Sequence, residues 1–129
     1  TPSTTDSTKM PLAGGTFTGE VIFQKEITET VYQLTTTASG DTTRDLDPSN
    51  GTIQTLTLGI NSTVSANNFD TGQSLLLIVT ASGSSYTITW PTMTWVGGSP
   101  PTLGGATPTA IELFKVGSTL YGATVGDLG

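Results

Sequence analysis

The chain has 129 residues, enough for one domain with a core of its own. Charged residues make up 11%, the formal net charge is -6, and the basic residues are Lys9, Lys25, Arg44 and Lys115; four scattered cations leave no face for nucleic acid or an anionic membrane. With no histidine and no cysteine, Ser/His and Cys/His nucleophile systems, the usual zinc sites and disulfides are excluded too.

Threonine is the commonest residue, and it favours strands over helices. Sixteen glycines and seven prolines supply frequent turns, and together these point to an all-β domain. Disorder is the competing reading of a Ser/Thr/Gly/Pro-rich chain. The gathering of apolar residues into strand-like runs argues against it. No apolar run is long enough to span a membrane, so no membrane insertion is expected. Thr1 carries no signal-peptide pattern and is expected either to follow a removed initiator or to continue a longer protein.

Taken in order, residues 1–11 are polar at the start and read as a flexible arm or linker. Residues 12–24 form a first strand segment, in which Phe17, Val21 and Phe23 share one face. The remainder, 25–129, is expected to be a β-sandwich domain. Within it, 26–35 fits a helical spacing at Ile27, Val31 and Leu34, but its β-formers favour a strand. Residues 38–51 hold two dense turn signals. Residues 52–60 alternate cleanly, with Leu56, Leu58 and Ile60 on one side and Ile53, Thr55 and Thr57 on the other. Residues 61–72 read as a polar loop with a short strand near Ser62. Residues 75–79 are apolar throughout, which predicts a central strand covered on both faces. A turn centred on Gly83 predicts a hairpin into the strand 86–90, where Tyr86, Ile88 and Trp90 alternate with threonines. Pro91 stops that strand. Residues 99–105 form a rigid exposed loop, and the final hairpin, 110–116 with 119–125, turns at Gly117.

Seven or eight evenly spaced strands without a convincing helix predict an antiparallel β-sandwich or a jelly-roll-like pair of sheets. Several strands carry apolar residues on both faces, which predicts a subunit interface.

Candidate chemistry is sparse. Glu20, Glu26 and Glu29 suit solvated strand-edge charges better than an acid/base pair for glycoside hydrolysis. Asp41, Asp45, Asp47 and Asn50 cluster in one loop, but the spacing fails the twelve-residue calcium loop, and turn formation accounts for the same residues; an irregular calcium site there is left open. Residues 61–63, N-S-T, match the glycosylation acceptor pattern, which is short and common. Tyr86 and Trp90 are expected in the core. Trp95, bracketed by Pro91 and Gly97, is a candidate contact residue, as are Pro100 and Pro101 on their loop. No cofactor or metal is expected, and no enzymatic activity.

Two stretches resemble bacteriophage tail-fibre and other virion fibre proteins. Residues 12–19, L-A-G-G-T-F-T-G, look like a segment that recurs in phage fibres. The second stretch covers 46–125: D-P-S-N-G at 47–51, G-Q-S-L-L-L at 72–77, Y-T-I-T-W-P at 86–91, then Trp95, Gly97, Gly98 and P-T-L at 101–103, with L-Y-G at 120–122. Leu120 departs from the pattern, where relatives carry a second aromatic. The resemblance implies a non-enzymatic virion protein, homotrimeric, on a tail fibre or the head surface. Its partners would be copies of itself, other virion proteins, and a host surface glycan or protein. A capsid decoration protein and a carbohydrate-binding module are the alternatives.

Overall fold

The computed structural model describes residues 13–82 and 85–129. The arm expected at 1–11 and the turn expected at Gly83 lie outside the described residues. Nine strands and no helix make up the described chain: β1 (Val31–Gln33), β2 (Thr43–Asp45), β3 (Ile53–Leu58), β4 (Ser62–Ser65), β5 (Ser74–Ala81), β6 (Ile88–Thr89), β7 (Thr94–Trp95), β8 (Thr109–Val116) and β9 (Thr119–Asp127). The all-β expectation holds; the antiparallel sandwich or jelly-roll does not.

Among the described residues, five strand pairings are parallel and two antiparallel. β1, β3 and β5 stack in parallel in one sheet, and β2, β4 and β6 stack in parallel in a second. The chain alternates between the two sheets, so each circuit lays one strand on each: a short β-solenoid of three rungs. The register advances 22 positions from Val31 to Ile53 and 23 from Ile53 to Leu76. The coil then stops. β8 runs antiparallel to β5 and pairs with β9 as a hairpin, and β7 closes the long sheet in the order β1-β3-β5-β8-β9-β7.

The alternation that suggested a sandwich has a different cause. Each rung shows one face to the interior and one outward, so period two holds although the neighbours are parallel. In β3, Gln54, Leu56 and Leu58 are buried while Ile53, Thr55 and Thr57 are half-buried. β5 is central, as expected, with Leu75, Leu77 and Val79 buried, but Leu76 and Ile78 lie on the outer face and are covered only in part. The expected hairpin from 75–79 into 86–90 is absent as a pairing: β5 and β6 belong to different sheets.

The core fills the space between the two sheets. Leu34, Leu56, Leu58, Leu75, Leu77, Ile111 and Leu113 meet Leu46, Val64 and Phe69. At the solenoid corners the same turn recurs. The Asn50 N–H donates to the Asp47 carbonyl at 3.1 Å, and one rung later the Gln73 N–H donates to the Asp70 carbonyl at 3.2 Å. Two buried polar side chains bond as donors: Ser62 Oγ donates to Thr37 Oγ1 at 2.8 Å, and Gln54 Nε2 to the carbonyls of Asp47 and Gly51. Gln54 Oε1 is buried without a hydrogen-bond partner among the described residues.

The first rung ends on a charged plug. Arg44 pairs with Val64 in the β2–β4 register, so it shares that inward side. Its side chain is 10% exposed and donates to the carbonyls of Thr35, Thr36 and Thr43 and to both oxygens of Asp41. Residues 13–30, N-terminal to β1, form no strand and are exposed throughout. Of the strand expected within 12–24, the described part, 13–24, is not strand. Its alternation is present, but no neighbouring strand among the described residues offers it a ladder.

Candidate functional site

β6 is the last rung of the short sheet, and no strand among the described residues stacks beyond it. Its flanks are tied back to β4: the backbone N–H of Ser62 donates to the carbonyl of Thr87 at 2.9 Å, and the N–H of Thr87 donates to Asn61 Oδ1 at 3.0 Å. Period two then fixes the side chains. Tyr86, Ile88 and Trp90 turn toward the core and are half-buried, while Thr87 and Thr89 are exposed. These residues and the loop 100–103 enclose a groove of about 320 Å³, lined by residues 85–88, Trp90 and residues 100–103.

Trp90 is braced from behind. The Trp95 ring meets it edge-on, with centroids 5.0 Å apart and planes at 76°, an arrangement that aromatic quadrupoles favour. Trp95 sits on β7 over Gly122 of β9, where a Cβ would come within 2.6 Å of the ring. Only glycine permits that approach. The chain leaves β7 through Gly97 and Gly98, both at positive φ (84° and 88°), which lets the Gly98 N–H return to the Trp95 carbonyl at 2.9 Å. The proline loop is held at its far end. The Gly104 N–H donates to Thr109 Oγ1 at 3.0 Å, and that hydroxyl donates to Asp127 Oδ1 at 2.9 Å.

The candidate contact residues thus meet in one place but in different roles. Pro100 and Pro101 line the groove, and Trp95 supports its wall. Tyr86 and Trp90, expected in the core, touch it with one side and form the groove with the other, because no further rung among the described residues covers them. Their shared face was legible in the spacing; the lack of a covering strand was not. Trp90, Trp95, Gly97, Gly98, the 101–103 loop and Gly122 build and brace this groove, whereas residues 47–51 and 72–77 belong to the coil.

A second surface is the outer face of the long sheet. Val31, Ile53, Leu76 and Glu112 follow one another across it. Beside them Phe114 stacks on Tyr121, centroids 5.3 Å apart and planes at 15°. Partial burial, with the Glu29 carboxylate as a second cause, raises Glu112 above its ordinary value.

The acidic residues singled out by sequence are dispersed among other partners. Asp41 is held below its ordinary value, chiefly by the hydrogen bond from Arg44. Asp45 accepts from Ser65 Oγ, Asn68 Nδ2 and the Asn67 N–H. Asp47 is lowered by the hydrogen bonds from Ser49. No group of three potential metal ligands forms among the described residues. Glu20 and Glu26 are exposed, and Glu29 accepts from Thr52 Oγ1 at 2.8 Å. The chain matches no protein-family model, no curated protein and no solved structure.

Proposed function

We propose that the chain is a non-enzymatic structural protein of a virion, a fibre or fibre-tip domain that assembles as a homotrimer and serves host attachment or fibre assembly. One observation carries the assembly part. Phe17, Val21, Ile22, Phe23, Ile27, Val31 and Tyr32 are all exposed within one short segment. Burying a large apolar side chain is worth roughly 1.5–3 kcal/mol, so this segment leaves a large driving force unused in a single copy. The segment runs directly into β1, whose Val31 begins the apolar row across the long sheet. A second copy offers the same row, and self-complementary faces suit a symmetric oligomer. The fibre resemblance supplies the number three and the virion setting.

Sedimentation at micromolar concentration tests the assembly. A trimer is expected, and a persistent monomer would remove the basis of the reading. The exposed segment 13–30 also suits a capsid decoration protein that clamps onto a shell. Antibody labelling of intact particles separates the two, since head and tail locations are distinguishable by electron microscopy.

A further inference from the structure

We propose that the groove between β6 and the 100–103 loop binds a short stretch of neutral saccharide. The inference takes its biological setting from the attachment reading, but its chemistry stands on the groove alone. The volume, about 320 Å³, lies at the small end of the roughly 300–1,000 Å³ range of ligand pockets. Its walls are aromatic and aliphatic: Tyr86, Trp90, Pro101 and Leu103 offer surface to the C–H face of a pyranose ring. Two of the residues along it, Thr87 and Thr102, are exposed and bear hydroxyls.

The pairing of these groups selects the ligand. A hydroxyl both donates and accepts, as sugar hydroxyls do, so these two threonines can meet several hydroxyl orientations. No lining residue is charged, in a chain of net charge -6, and an anionic sugar would find no compensating cation there. Trp90 is also pre-set. Its T-shaped contact with Trp95, and the seating of Trp95 on Gly122, fix the ring before any ligand arrives, which lowers the ordering cost of binding. An aromatic groove can also take a proline-rich peptide. Such a peptide presents fixed carbonyl acceptors and no donors at its prolines, so it would leave half the capacity of the threonine hydroxyls unused.

The chain carries its own reporter, because Trp90 and Trp95 are its two tryptophans and both belong to this groove or its brace. Tryptophan emission is followed while cellobiose, maltose, lactose and diacetylchitobiose are added in turn to the full chain, with sialyllactose and a polyproline decapeptide as competitors in class. At least one neutral disaccharide is expected to shift the emission saturably. Tyr86→Ala is expected to weaken that binding at least tenfold, and Thr102→Asp, at an exposed position, to weaken it without altering the unfolding midpoint. The proposal is overturned if no neutral sugar shifts the emission. It is equally overturned if only sialyllactose or the peptide does so, or if both variants bind like the parent. The oligomeric state is measured in the same samples: a monomer that binds sugar ends the assembly reading and keeps the groove, while a trimer that binds none does the reverse.

Discussion

Residues 16–23 and residues 53–58 carry the same kind of alternation, yet one is an isolated ribbon and the other the middle of a core. Phe17 and Phe23 are 62% and 66% exposed; Leu56 and Leu58 are 1% and 0% exposed. Composition does not separate them. What separates them is the company each keeps. β3 lies between β1 and β5, and its inward residues face Leu46, Val64 and Phe69 across the solenoid. Residues 16–23 have no such neighbours among the described residues of one copy. Alternation therefore specifies a face that requires cover, but leaves open whether the cover is intramolecular.

That contrast is sharpest for truncations in the rungs. Leu58→Ala is expected to cost about 2–5 kcal/mol, read as a drop in the urea midpoint with an unchanged slope. A loss below 1 kcal/mol would mean the rung interior is not tightly packed. Arg44→Met tests the closed end of the coil. It strips the carbonyls of Thr35 and Thr36 of their donor, and a loss of about 1–3 kcal/mol is expected by chemical denaturation. Stability equal to the parent would show that the plug contributes nothing.

The arm should answer differently. The double change Phe17→Ser with Phe23→Ser is expected to alter the stability of an isolated copy by no more than about 0.5 kcal/mol, while weakening self-association at least tenfold in sedimentation equilibrium. Undiminished association would turn attention to the sheet face alone. Smallest is Glu112→Gln. Burial raises the folded-state pKa of Glu112, so the folded chain holds that proton more readily than the unfolded chain. The resulting stability is complete below the ordinary carboxyl value and fades as pH climbs through the raised one. The variant should flatten that slope and, at neutral pH, gain ~0.5 kcal/mol or less. Asp41, lowered by Arg44, contributes in the opposite sense, its share fading as pH falls; thermal melts across pH 3–8 of parent and variant resolve the two.

Much of the fold was legible locally, and little of it globally. The facing of β3 and the hairpin of β8 with β9 follow from alternation and from Gly117. The parallel stacking was not legible from alternation, since period two is common to both senses of pairing. A signal was present elsewhere: Asp47 with its turn precedes Ile53 by six positions, and Asp70 with its turn precedes Leu76 by six as well. That recurrence at 23 positions is the mark of stacked rungs, and evenly spaced turns conceal it. At the groove, Pro100 and Pro101 were legible as an exposed loop. The role of Trp95 as a brace depends on Gly122, 27 positions away, and no local spacing reveals that contact.

The rungs have one further consequence. A coil whose turns repeat every 22 or 23 positions can be lengthened in whole increments, each adding about 4.8 Å of height. An extra turn spliced between β3 and β5 would leave the arginine stopper and the tryptophan-walled end chemically unchanged while moving them apart. Spacing between the two ends is thus a heritable dial, set by counting residues and independent of what either end does.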